Sequence, residues 1–299
     1  MLKDIKNASL YFIPLLLIIS FIIYKNLLFA EFLDYDDGGN VFRNIAITNF
    51  TFQSITTIFT TSIYYSYSPI TFLFYGLEWQ LFGDSPSWFH LTSILLHLAN
   101  IFLVYRVALL LVKKRSIAII TSTLFALHPI HMDAVGWISA QSYLLATLFY
   151  LLSLIFYIQY LDASDNKKSR IILSLLFFIL ACLSKSQAFT LAPVILLINW
   201  IFKAKYDLRQ IIIVSGYFLI SVLIGMLTLY FRSDIGKTEI IPDYSIIDKL
   251  FVISFSVVKY IYKVIYPIGL SAIEPYPGTS ANGTLPVMAY MSHVLILLD

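Results

Sequence analysis

Apolar runs separated by short polar interruptions dominate the chain, and their lengths predict membrane-spanning helices over about 10–30, 89–112, 116–127, 142–160, 171–184, 187–202 and 211–231. An eighth apolar helix is expected over 246–266, and a further run begins near Leu285. A helix rises 1.5 Å per residue, so about 20 apolar residues cross some 30 Å of hydrocarbon. The runs 116–127 and 171–184 are short for a straight crossing, which marks their outer ends as candidate cavity walls. The first run is longer than a signal-peptide core and lacks a small-residue cleavage site, so it reads as a retained span.

The polar interruptions give the threading a direction. "KKRS" at Lys113, "DNKKSR" at Asp165 and "KAKYDLR" at Lys203 fall on the same side as the N-terminal "MLKDIK". Basic residues concentrate in cytoplasmic loops, which places the N-terminus in the cytoplasm. The loop 31–88, the "HPIHMDAVGW" connection, the "SKSQ" turn and the segment after Phe231 then share the outer face. The expected architecture is an all-α, polytopic transmembrane helix bundle in one membrane domain, 1–299. Its long first outer loop carries short juxtamembrane helices. The closing "MSHVLILLD" lies within an apolar run, so further spans are expected beyond 299.

Composition agrees with this reading and removes other classes. Of 299 residues, 59% are hydrophobic and 12% charged, and the mean hydropathy is +0.83, which excludes an ordinary soluble domain. Membrane lipid is therefore a partner. The formal net charge of +3 gives no footing for a nucleic-acid partner. Cys182 is the only cysteine, so neither an intrachain disulfide nor a cysteine metal site can form.

Four features could carry chemistry. "FLDYDDGGNVFRN" sets Asp34, Asp36 and Asp37 just beyond the first span. In a Ca²⁺-loop register the fifth and twelfth positions are Gly38 and Ile45, so that ligand set is missing. A solvated acidic loop and a catalytic one stay open, and carboxylates so clustered can hold Mg²⁺ or Mn²⁺. "HPIHMDAVGW" places His128, His131 and Asp133 at the outer edge, because Pro129 disfavours helix at the residue before it. These could bind a phosphate or a metal, or simply cap the loop. His90, Ser93, His97 and Asn100 recur at three- and four-residue steps and form one polar stripe. His97 and Asn100 suit hydrogen bonds between helices, and His90, at the outer end, suits the site. Lys185 and Arg232 are cations on the face where basic residues are not expected; either could snorkel to head groups or bind an anion.

"FLDYDDGGNVFRN", "SPITFLFYGLEWQLFGDSPSWFHLTSILLHLAN", "LFALHPIHMDAVGWISAQSYLLATLF", "LSKSQAFTLAPVILLIN" and "YIYKVIYPIGLSAIEPYP" resemble, in order and spacing, the membrane part of a known family. It comprises the transmembrane and tetratricopeptide-repeat-containing O-mannosyltransferases and their bacterial relatives. The likeness extends over nearly the whole chain. It implies a GT-C-type glycosyltransferase that moves a sugar from a polyprenyl-phosphate-linked donor to a hydroxyl of a protein or glycan acceptor on the outer or lumenal face. The membrane would be the bacterial cytoplasmic membrane, or the endoplasmic reticulum in a eukaryote.

The resemblance also implies roles. Asp36 and Asp37 match the acidic pair of the first outer loop, where a carboxylate serves as base or orients the acceptor. His128, His131, Asp133, Lys185, Arg232 and His90 are then candidates for the donor phosphate or the substrate. The family pattern is kept at the acidic pair, the HPxH element and the lysine of "LSKSQ". It is broken at Ser68, Ser93, Asp133, Gln141, Ser142, Tyr143 and Ser186. Two other classes are a carrier or flippase for a lipid-linked or small polar substrate, and a non-catalytic family member. Transporters place their site near the midplane between repeats, whereas here the polar residues gather at one face.

Overall fold

Each long apolar run folds as a helix. The computed structural model describes residues 2–64, 66–162, 166–204, 207–232, 245–271, 277 and 285–298, with the side chains of 2–10, 232, 246 and 294–298 outside that description. Among the described residues there is no strand, only one isolated bridge between Ile63 and Ser66. Helix α1 (Leu2–Tyr24) runs on into a 3₁₀ segment, Lys25–Phe29. With α5 (Pro86–Val112), α8 (Gln141–Asp162) and α11 (Leu208–Arg232) it supplies four stretches long and apolar enough to cross a membrane. A fifth follows if the bent pair Arg115–Leu127 and Pro129–Gly136 counts as one.

Local chemistry sets the breaks. Helix α6 (Arg115–Leu127) stops because His128, held extended at ψ 122 ahead of Pro129, cannot continue it. A 3₁₀ turn, Pro129–His131, and α7 (Met132–Gly136) follow. Helix α9 (Lys167–Ser184) ends where Lys185 turns extended. The expected span 187–202 folds as a 3₁₀ turn, Ser186–Thr190, and α10 (Leu191–Ile201). Pro193 lacks the N–H that a helix continuing from the turn would donate to the carbonyl of Phe189. At 11 residues, about 17 Å, α10 alone falls short of a crossing.

The loop after α1 is built from short pieces, each with its own start signal. A π-type turn, Gly38–Phe42, leads to α2 (Ile45–Thr48), capped by the Asn44 side chain. Helix α3 (Phe52–Thr60) opens with a reciprocal Thr51–Ser54 capping box, and α4 (Pro69–Phe82) opens on proline. Val41, Ile47, Ile58, Phe72, Tyr75, Phe89 and Ile138 form the apolar core that joins these pieces to α5 and the 138–140 turn.

Contacts divide the chain into two compact units: Met1–Leu127 with Ala134–Ile235, and His128–Asp133 with Gly236–Asp299. In the first, α8 packs along α9 and α5, and Tyr157, Ile158, Phe178, Leu191, Ile195 and Tyr217 form its centre. In the second, α12 (Ile246–Ile265) and α13 (Val287–Leu298) pack through Val252, Leu285 and Ala289, and Ser254 Oγ lies 2.8 Å from His293 Nδ1.

Candidate functional site

The three aspartates of the acidic turn have three different fates. Asp34 pairs with Arg43 at 2.6 Å, clasping the two ends of the turn on the surface. Asp37 is 1% exposed. Its Oδ2 accepts from the Leu33 N–H at 2.9 Å, and its Oδ1 accepts from the Ser139 N–H at 2.9 Å and the Ser139 hydroxyl at 2.5 Å. A carboxylate with three donors is a fixed strut, here joining the acidic turn to the 3₁₀ turn Ile138–Ala140 ahead of α8. Asp36 stays half-buried beside the Tyr64 hydroxyl. Burial, then the neighbouring charge of Asp37, raises its pKa above the usual aspartate value, while the Tyr64 hydroxyl and the Lys185 charge oppose the rise.

Lys185 reaches that neighbourhood through a bond between elements. Thr71 Oγ1 on α4 donates to the Ser184 carbonyl at 2.9 Å, holding the end of α9 against the loop helix. The next residue leaves the helix extended, and its ammonium lies 4.4 Å from the centre of the Tyr143 ring on α8. A cavity of about 330 Å³ opens beside it, lined among others by Tyr143, Thr147, Tyr150, Leu151, Lys185 and Ala188. The cation stands at the polar edge of a mostly apolar recess.

A buried polar layer supports the turn from behind. Tyr75 donates to the Ile138 carbonyl at 3.0 Å, and Gln141 Nε2 donates to the Phe89 carbonyl at 2.9 Å and to Glu78 Oε1 at 3.3 Å. Burial pushes the Glu78 carboxyl up to about 8, against the hydrogen bond from Gln141, so it is mainly neutral at pH 7. His90 is 2% exposed and lies within electrostatic reach of Asp37.

The remaining candidates are placed as follows. His97 meets Tyr24 edge-on at 5.2 Å and stacks on Phe125 at 5.7 Å, and Asn100 Nδ2 donates to the Leu144 carbonyl at 3.0 Å. The stripe on α5 thus faces α1, α6 and α8. In the second unit His128 Nδ1 accepts from the Ile130 N–H at 3.2 Å and Nε2 meets the Val264 carbonyl at 2.8 Å. The proton therefore sits on Nε2, and both ring nitrogens are engaged by backbone. His131 is half-buried with its ring centre 6.3 Å from that of His128, and Asp133 is exposed in the first turn of α7. Arg232 ends α11, and its side chain lies outside the described residues. Among the described residues no group of three His, Cys, Asp or Glu side chains is placed to hold a metal ion.

Sequence reasoning missed Ser139, Tyr64, Thr71 and Glu78. For Glu78 a signal existed: it is a lone carboxylate inside the apolar run "FLFYGLEWQLF". The other three are ordinary polar residues that only long-range contacts single out.

Among known proteins the chain is similar to several protein O-mannosyl-transferases. Protein O-mannosyl-transferase TMTC1 of Homo sapiens is 39% identical over 98 residues, 32% of this chain and 11% of that protein. Protein O-mannosyl-transferase TMTC3 of Mus musculus is 28% identical over 228 residues, 72% of this chain and 24% of that protein. Protein O-mannosyl-transferase F38B6.6 of Caenorhabditis elegans is 27% identical over 201 residues, covering 62% and 28%. The chain spans no more than 28% of the length of these three relatives. No family model and no solved structure matches it.

Proposed function

We propose, from its similarity to the protein O-mannosyl-transferases TMTC1 and TMTC3, that the chain transfers mannose from a polyprenyl-phosphate carrier to a hydroxyl of a protein acceptor. The observation that carries this reading is that a half-buried carboxylate, Asp36, lies within electrostatic reach of a cation, Lys185, that lines a mostly apolar recess.

Each group has one task. The acceptor oxygen attacks the anomeric carbon and gives its proton to the Asp36 carboxylate as the new C–O bond forms. The bond from the anomeric carbon to the phosphate oxygen breaks, and the electron pair leaves on the polyprenyl phosphate, whose growing charge meets the Lys185 ammonium. The recess beside Lys185 takes the first part of the lipid chain. Asp37 positions: held by Leu33 and Ser139, it keeps the turn rigid and, through its charge, keeps the proton affinity of Asp36 raised. The base works only when ionised, so transfer falls as pH drops through the Asp36 pKa. That acid limb lies above the ordinary aspartate value of 3.8.

The reaction belongs on the face opposite the basic loops. Asn49, in an "NFT" sequon, is exposed on the loop that carries the acidic turn. Expressed through a eukaryotic secretory pathway, the chain is expected to gain a glycan at Asn49 and none at Asn7; a glycan at Asn7 reverses the orientation. Purified protein given a polyprenyl-phosphate mannose donor and a serine- or threonine-containing peptide should glycosylate the peptide, and Asp36→Asn should not. Full transfer by Asp36→Asn defeats the assignment.

A further inference from the structure

The outer loop holds a second, larger cavity apart from the Lys185 recess. Its volume is about 650 Å³, within the roughly 300–1,000 Å³ of ligand-sized sites. The lining is neutral and rich in hydrogen-bonding side chains: Asn44, Asn49, Gln53, Ser54, Thr57 and Ser62 all face it. Among the described residues in its wall the one cation is Arg43, which is paired with Asp34. Among the described residues no carboxylate lines it, and its character is that of a neutral hydrogen-bonding surface. Amide and hydroxyl groups at this density suit the alternating N–H and C=O groups of an extended polypeptide.

Tyr64 connects this groove to the acidic turn. Its ring lines the groove while its hydroxyl donates to the Tyr35 carbonyl at 3.2 Å and stands beside the Asp36 carboxylate, whose ionised form it favours. A phenol has one proton to donate. When Asp36 is ionised the proton can turn to the carboxylate; when Asp36 is protonated, the acid can donate to the phenol oxygen while the phenol keeps its bond to Tyr35. The backbone of Tyr64 is held at φ +40, a left-handed conformation uncommon for a bulky residue. Its ring lies directly against Gly39, where any Cβ would overlap the ring atoms Cδ2 and Cε2. Such strain persists only where the surroundings enforce it, and here it puts one aromatic ring between the groove and the candidate base.

We propose that this groove binds the acceptor polypeptide beside Asp36, and that Tyr64, seated on Gly39, is the positioning residue that orients the Asp36 carboxylate toward the incoming hydroxyl. This rests on the transferase reading above and adds to it the place where the acceptor binds. Gln53 lines the groove on exposed α3 and takes no part in the acidic turn.

The test uses the full chain in detergent or nanodiscs, with a serine- and threonine-containing peptide titrated by fluorescence anisotropy and mannose transfer followed in parallel. Gln53→Trp fills the groove and should raise both the peptide Kd and the acceptor KM about tenfold or more, leaving the donor KM unchanged. Tyr64→Phe keeps the ring and removes the hydroxyl. It should lower kcat about tenfold at unchanged peptide Kd and move the acid limb of the pH profile upward, because Asp36 loses a hydroxyl that favours its ionised form. Gly39→Ala should reproduce both defects. Peptide affinity unaltered in Gln53→Trp overturns the groove, and a kcat and pH profile unaltered in Tyr64→Phe overturn the role of the phenol. If the wild-type chain binds the peptide and Gln53→Trp does not, yet no mannose moves, the groove stands and the transferase reading falls.

Discussion

Two buried polar clusters in the first unit look alike in burial and differ in kind. Between α8, α10 and α11, Tyr157 donates to Asn199 Oδ1 at 2.9 Å, Gln210 Nε2 reaches the Tyr157 hydroxyl at 2.7 Å and Asn199 at 2.9 Å, and Tyr160 donates to Gln210 Oε1 at 3.1 Å. Every member is an amide or a phenol. Behind the acidic turn the corresponding layer contains Asp37, Glu78 and His90; each cluster leaves an amide atom without a hydrogen-bond partner among the described residues, Asn199 Nδ2 in the first and Gln141 Oε1 in the second, so the difference lies in the ionisable groups. Neutral amides and phenols that bond one another are tolerated within a bilayer, so the first cluster serves packing. Ionisable groups kept under cover cost much more and indicate a task beyond packing.

The sharpest way to break that contrast is to remove charge without changing shape. Asp36→Asn should reduce transfer about 10²–10⁴-fold, with thermal stability unchanged. Lys185→Met should cost about 10²–10³ in kcat, measured at saturating donor, because the leaving phosphate loses its counter-charge. Asp37→Asn should act through structure: replacing a carboxylate that accepts from two N–H groups and a hydroxyl costs about 1–3 kcal/mol of stability, read as a lowered thermal midpoint. Equal stability of the Asp36 and Asp37 variants would erase the division of labour between these neighbours.

Smaller effects sharpen the other side. Gln210→Leu should cost about 0.5–2 kcal/mol, since polar contacts between membrane helices are individually modest, while transfer per folded molecule stays at the wild-type level. The Glu78 carboxyl predicts a gentle pH dependence. Its folded pKa, about 8, stands above the ordinary value of 4.5, so the folded state holds the extra proton between the two. Stability from this group is complete below about 4.5, declines as pH rises toward 8 and is flat beyond. Glu78→Gln should remove that slope in denaturation midpoints measured from pH 5 to 9.

Much of this was legible from the order of residues, and the failures have physical causes. The polar stripe on α5 was readable because helical periodicity alone puts His90, Ser93, His97 and Asn100 on one face. The end of α6 was readable because Pro129 acts on its immediate neighbour. The run 187–202 folds as one apolar helical stretch, Ser186–Ile201, and what hydropathy could not show is that its first turn is 3₁₀ and its length short for a crossing. Asp36 and Asp37 were read as an undivided pair, since adjacent residues in a turn carry no sign of which side chain points inward.

The sequence by itself determined the membrane class, the helical architecture and the position of the acidic turn, because hydrophobic run length and local backbone preferences act within a few residues of chain. Only the tertiary structure distinguished the strut Asp37 from the half-exposed Asp36, brought Lys185 to it through the Thr71 bond to Ser184, and set Tyr64 against Gly39. Those relations join residues 25 to 149 positions apart. They depend on burial and long-range hydrogen bonds, which no local pattern encodes.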